Sequence, residues 1–527
     1  MLKIFSKALG GVLASTLIAA SLSAAPKSGG TLIIASTQVP RHLNPAVQSG
    51  IATAVPGTQI FASPLRYDEN WNPQPYLAER WEVAADGMSV TLHLNKQATF
   101  HDGKPVTSED LAFSLMTVKQ NHPFQTMFAP VSAVDTPDTH TAVIRLEKPH
   151  PAILLAMSSA LLPVIPKHIY GDGQDPKGHP RNADPVGSGP FKFVEMKPGE
   201  YIRLARNENY FMQGKPYLDE IIIRINRDTS SLVLSMERQE AHLWPFSDSV
   251  RDIERMKKQS HLEATVDGYA AVGALNWLAF NHAKKPFDDK RVRQAISYAV
   301  DRNFITKALH RGFSTRIYGP IHPDSPYATA DVEKYDVDLK KAESLLDQAG
   351  LQKKGDGMRF SLQIDYIPGS DEQQKNVAEY VKTQLRKIGI NAELRASPDF
   401  PTWAKRVGGH DFDLSMDIVF NWGDPVIGVH RTYISSNIRK GVIWSNTQSY
   451  SNPRVDELLS QAAVESDMNK RKALYKEFQQ IVADELPVAW INILPYHTVY
   501  HKNLRNLPTT IWGTMAPMDE VYWESQP

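Results

Sequence analysis

The segment from Ser361 to Phe420 constrains this chain more than any other. Ser361 to Ile367 alternates apolar and polar residues as a half-buried strand does, and Val377 to Ile388 repeats apolar residues at helical spacing up to Gly389. Ile390 to Leu394 then reads as a second strand. A strand, a helix and a strand in that order form a βαβ unit, and Leu414 to Phe420 supplies a further strand. The fold class that follows is α/β, and open α/β sheets take ligands in the crevice beyond the carboxyl ends of their strands. The loop after Phe420 therefore becomes the first place to look for function.

The rest of the chain divides by pattern. Gly29 to Ala35 reads as a β-branched strand bounded by glycines, and Tyr217 to Ile225 as a strand suited to a sheet interior. Between about Arg66 and Pro185 the pattern changes to short strands and turns, among them Val90 to Leu94, which predicts a separate β-rich subdomain. Beyond Phe287 helical spacing dominates. Val292, Ala295, Ile296 and Ala299 share one helix face, as do Leu339, Ala342, Leu345, Leu346 and Ala349 before Gly350.

At the start of the chain, Lys3 and Lys7 precede an apolar run from Ala8 to Ala20, and Ser21 to Ala25 offers small side chains to a signal peptidase. Residues 1–25 read as a cleaved secretory peptide, with the cut between 21 and 26. The run is shorter than the roughly 20 residues a membrane span requires. The chain has no cysteine, which removes disulfides, thiolate metal sites, a thiol nucleophile and a lipoprotein anchor. The expected compartment is the periplasm of a Gram-negative cell. Lys plus Arg and Asp plus Glu both number 58, so no net field draws the protein to nucleic acid, which is not expected as a partner.

Enzymatic constellations are missing from the sequence. There is no His-Glu-x-x-His helix, no Gly-x-Ser-x-Gly elbow and no phosphate loop. Gly171-Asp172-Gly173 reads as a surface turn, Gly187-Ser188-Gly189-Pro190 as a hinge or turn, and His101-Asp102-Gly103 as a β-turn. No cofactor and no metal site is expected, and no catalytic residue is assigned.

Several separated blocks carry a family resemblance. Leu77-Ala78-Glu79-Arg80-Trp81 is followed by Phe100-His101-Asp102-Gly103-Lys104-Pro105-Val106-Thr107-Ser108-Glu109-Asp110. Val186 to Phe191 forms a second block, and Asn281 with Pro286 to Ala295 and Ala299 to Arg302 a third. In this order they resemble family 5 of the bacterial extracellular solute-binding proteins, the peptide, dipeptide, opine and nickel receptors of ABC importers. The resemblance implies the two-lobed periplasmic-binding-protein fold with a hinge, plus an additional β-rich subdomain. It places lobe I at residues 26–65, 186–280 and 496–527, the subdomain at 66–185 and lobe II at 281–495, with crossings near Phe280 and Pro495. It also implies an inner-membrane permease as partner and a receptor that closes on its solute; a monomer is expected.

In peptide-binding members of the family, an aspartate just before the cleft loop's Asp/Glu-Pro receives the ligand's terminal ammonium. Here that loop is Phe420-Asn421-Trp422-Gly423-Asp424-Pro425, and the aspartate position falls on Asn421, which carries no charge. Asp424 is the alternative acceptor for a cationic group, and Trp422 offers a flat face. Arg431 and Arg439, flanking Tyr433, would suit carboxylates, as peptides, opines and related solutes present. Ser435, Ser436 and Asn437 could add neutral hydrogen bonds. Across the cleft the candidates are Gln38 and His42, after the opening strand. Trp244 and Trp277 read as packing residues first. The competing functions are a sensory solute receptor and a periplasmic hydrolase.

Overall fold

A computed structural model of the protein describes residues 26–527; the predicted signal peptide, residues 1–25, lies outside the described residues. Two large sheets organise the chain. The first has seven strands in the order Leu262–Thr265, His497–His501, Leu243–Ser247, Thr31–Ser36, Glu220–Ile225, Tyr201–Arg206 and Phe191–Lys197. The second has five, in the order Ile390–Arg395, Phe360–Tyr366, Leu414–Phe420, Ala274–Phe280 and Val488–Ile493. A separate antiparallel sheet of four strands, Ala78–Val83, Ser89–Leu94, Thr141–Leu146 and Val131–Asp138, is the predicted β-rich subdomain.

The βαβ reading holds in register. Phe360–Tyr366 pairs in parallel with Ile390–Arg395, and the connecting helix spans Asn376–Lys387. That helix stops where Gly389 takes a φ of 82°, a left-handed conformation that glycine adopts without steric penalty. Buried Val377, Ala378, Val381 and Leu385 put its apolar face against the sheet, and Ile364, Ile390 and Leu414 meet them in the lobe II core.

One expected boundary moves. Ala274–Phe280 lies inside the five-stranded sheet, paired with both Leu414–Phe420 and Val488–Ile493, so the first crossing between lobes precedes Ala274 instead of sitting near Phe280. The strand is buried on both faces, as the interior of a sheet requires. The return crossing lies between Ile493, which ends a lobe II strand, and His497, which starts a lobe I strand.

The Gly187-Ser188-Gly189 segment is a close-packing device. A Cβ on Gly187 would sit 2.0 Å from the carbonyl oxygen of Ile60, and one on Gly189 would sit 2.4 Å from that of Gln59. The backbone runs against the end of the helix Ile51–Ile60, and no larger residue fits there.

Candidate functional site

The loops that follow the lobe II strands Phe360–Tyr366 and Leu414–Phe420 both reach lobe I, the first through Glu372 and the second through Trp422. Five aromatic rings form the seam: Phe246, Tyr269 and Tyr496 pack edge-on or tilted at centroid distances of 5.0 to 5.7 Å. Phe420 joins Tyr496 at 6.4 Å and Trp422 at 5.7 Å. On the lobe I side a small cavity is lined by Ser36, Thr37, Gln38, Trp244, Pro245 and Phe246 among others. A larger cleft of about 910 Å³ runs along the crossings, between Trp71 and Tyr269 on one side and Phe313, His322 and Asp324 on the other.

The Phe420 loop leaves its own lobe. Trp422 and Ile427 are buried with the core of lobe I and the subdomain. Trp422 takes a φ of 50° and packs its ring against Phe124 of the subdomain at 5.1 Å and Trp512 at 6.3 Å. Its faces are therefore covered by protein in this conformation. Phe420 is half-buried, with its ring on the seam.

Asn421 is occupied by its own chain. Its side-chain oxygen accepts a hydrogen bond from the backbone N–H of His322 at 2.6 Å, and its amide donates to the carbonyl of Pro320 at 3.2 Å. At 4% exposure it ties the strand end to the 320–322 loop, and its amide oxygen already accepts one hydrogen bond there. Asp424 is also committed. Both of its oxygens take hydrogen bonds from Arg471, each at 2.7 Å, and one also accepts from the N–H of Val426. Although burial works against ionisation, Arg471 beside it holds the Asp424 carboxyl below the usual range, so the charge expected for a cationic solute is already matched.

The other predicted residues separate. Tyr433 is 1% exposed and accepts from the indole N–H of Trp490 at 3.3 Å, which makes it a core residue of lobe II. His42 is buried, and its Nδ1 accepts from the N–H of Asn44 at 3.2 Å within its own loop, away from the lobe I cavity. Burial, and the charge of Arg41, lower its pKa and keep it neutral. Gln38 is exposed and lines that cavity. Arg439 is exposed and donates to Asn437 at 2.9 Å. Arg431 is half-buried, donates through Nε to the carbonyl of Gly428 at 3.1 Å and places its guanidinium 4.9 Å from the ring of Phe124.

Residues that sequence reasoning missed close the far side of the cleft. Glu372 of lobe II accepts from the N–H of Val250 at 2.9 Å and the hydroxyl of Ser249 at 3.1 Å, both in lobe I. Ser370 donates to Asp248 at 3.2 Å, and Gln373 donates to the Asp248 carbonyl at 3.1 Å. Burial pushes the Asp248 carboxyl up to about 6, opposed by the Ser370 hydrogen bond, and Glu372 adds to the rise. The lobes thus meet through polar contacts as well as rings. No residue pattern in the sequence marks this pairing, because Asp248 and Glu372 are far apart in the chain.

Comparison with known proteins fits this architecture. Residues 72–440 match the family model described as bacterial extracellular solute-binding proteins, family 5 (middle). The chain is 29% identical to heme-binding protein A of Haemophilus influenzae over 503 residues, covering 90% of this chain and 88% of that one. It is 27% identical to the dipeptide-binding protein of Escherichia coli, covering 93% of each. Among solved structures it is similar to NikZ of Campylobacter jejuni in complex with Ni(L-His), at a TM-score of 0.81 and 25% identity over 92% of this chain and 97% of that one. The two-lobed α/β fold is thus shared with known solute-binding proteins, and this chain belongs to family 5 of the bacterial extracellular solute-binding proteins.

Proposed function

We propose that the protein captures a small solute between its lobes and delivers it, in the closed form, to an inner-membrane ABC permease. The leader is removed on export, the mature chain works in the periplasm as a monomer, and it performs no chemistry on what it binds. Among the described residues no helix is long and apolar enough to cross a membrane. The observation that carries the reading is the seam: loops from both lobes and from the subdomain meet at one place, so a ligand there would touch all three. Contacts that exist only when the lobes are together are what convert binding into closure.

The relatives named above carry chemically different cargo, namely haem, a dipeptide and a nickel–histidine chelate, so cargo must be argued from this chain's own site. Among the described residues, the strand Leu414–Phe420 has no strand partner beyond Met416 on its Phe360–Tyr366 side, while its other side stays paired through Phe420. An extended solute such as a short peptide could add to that free edge. Peptide-like and opine-like solutes are the classes that fit a free strand edge near Arg431.

The test is thermal denaturation of the mature chain against short peptides, opines, sugar acids and oligosaccharides. A ligand at 100 times its Kd raises stability by about 2.7 kcal/mol, a readily measured shift in midpoint. A shift with one class and not the others supports capture of that class. No shift with any of them, or turnover of a bound compound, overturns the reading.

A further inference from the structure

Lobe II grips one short helix of lobe I at both of its ends. The helix Val250–Met256 follows the strand Leu243–Ser247, and Glu372 of lobe II accepts from its first N–H, that of Val250, at 2.9 Å. The Ser249 hydroxyl has one proton to share between Glu372 at 3.1 Å and Asp252 at 2.8 Å, so the Val250 contact is the firm one. Beside it the Gln373 amide donates to the Asp248 carbonyl and the Ser370 hydroxyl to the Asp248 carboxylate. Towards the other end, Arg311 of lobe II pairs with Glu254. The ring of Phe313 then lies 5.7 Å from the Lys257 ammonium and 5.2 Å from the ring of His497, both in lobe I.

The lobe II side of the grip is built from unusual backbone. Among the described residues two π-helical turns occur, Ile305–Leu309 and Asp371–Lys375, and both deliver residues to that helix. The second contains Glu372 and Gln373, and the first leads into Arg311, which holds a φ of 50°. π-turns are rare and gather at functional positions, and a positive φ outside glycine is a conformation that surrounding structure must hold in place. Gln373 is buried, and its Oε1 has no hydrogen-bond partner among the described residues. Each feature costs free energy, and folding of lobe II alone does not call for them. Asp248, Val250 and Glu372 line neither the lobe I cavity nor the larger cleft.

We propose that this grip is a latch, which holds the lobes together before a solute arrives and sets how long any solute stays. This rests on the reading of the chain as a receptor that closes, and it concerns closure and not cargo. Because the Glu372 contact lies outside both cavities, it contributes the same factor to the affinity of every cargo held by the closed form, while selectivity is decided in the cleft. That contact carries most of the latch: it is half-buried and joins a charged acceptor to a backbone donor. Arg311 and Glu254 have side chains 53% and 36% exposed, and exposed ion pairs contribute little and are screened by salt.

The test needs no solute. The chain has no cysteine, so Arg238→Cys in lobe I and Thr383→Cys in lobe II, both at exposed positions, carry nitroxide labels at those two sites alone. Pulsed electron–electron double resonance on the mature chain then gives the distribution of lobe separations. The parent should show a dominant separation matching the closed arrangement described above. Glu372→Ala should raise the open-to-closed ratio about 10-fold, and Arg311→Met about 2- to 5-fold, the smaller effect vanishing at high salt. Arg311 is exposed, so that variant keeps its fold and the test stands even if Glu372→Ala does not melt cooperatively. A parent that is mainly open, or a ratio that neither variant moves, overturns the proposal. Either result leaves solute capture standing, because no solute takes part.

Discussion

Asp424 and Arg471 form a two-pronged ion pair, Nη1 to Oδ2 and Nη2 to Oδ1 at 2.7 Å each, with side chains only 6% and 1% exposed. Tyr327 and Tyr475 surround it, Tyr327 accepting from Nη1 at 2.5 Å and Tyr475 from Nη2 at 3.3 Å. The pair anchors the end of the cleft loop to the long helix Met468–Glu485. Removing one partner leaves a buried charge without compensation. Arg471→Met should lower stability by about 3–5 kcal/mol, whereas Asp424→Asn combined with Arg471→Met should recover part of that loss. Urea denaturation of the three variants checks it. Equal losses in the single and double variants would refute the coupling.

Asn421→Asp places an acid where the family resemblance implies one, yet it should not create an ammonium site. The change removes the donor to Pro320 and sets a carboxylate against that carbonyl, 3.2 Å away in the parent. A loss of about 1–3 kcal/mol in stability is expected, with no gain in affinity for a free peptide amine. Denaturation and dipeptide titration read the two effects separately.

Closure should weaken as pH rises. Asp248 carries its raised pKa of about 6 where the lobes meet, beside Glu372 and close to Tyr496. Because contact between the lobes raises this pKa, the closed form prefers the protonated acid. The preference is fully present well below the open-state pKa and is lost as pH climbs through about 6. Small-angle scattering between pH 4.5 and 8, values bracketing that titration, should show a growing open fraction, and Asp248→Asn should flatten the dependence. A dependence unchanged by that substitution would assign it elsewhere.

Gly428 is required by contact with the loop it follows. A Cβ there would lie 2.0 Å from the carbonyl oxygen of Asn421, and the nearest atoms are all Asn421 backbone, which has little room to yield. Gly428→Ala should cost about 1–3 kcal/mol and displace the loop that carries Trp422. A lowered melting midpoint with altered tryptophan fluorescence would report it; a variant matching the parent in both would show that the loop can relax.

The sequence by itself determined the elements and the family. Periodicity is a local property, so the strands at 360–366, 390–395 and 414–420 and the helix at 376–387 were legible, as was the β-rich character of the subdomain. The motif blocks from Leu77 to Arg302 added the two-lobed plan. What the side chains of the cleft loop do was decided only by the tertiary structure, because each depends on a partner brought from elsewhere in the chain. Asn421 is spent on His322 and Pro320, Asp424 on Arg471, and Tyr433 on Trp490. Asp417, within the strand legible at 414–420, accepts from the indole of Trp444. A carboxylate's availability is set by whether a counter-charge arrives within contact distance, and residues separated by tens of positions in sequence meet only when the chain has folded.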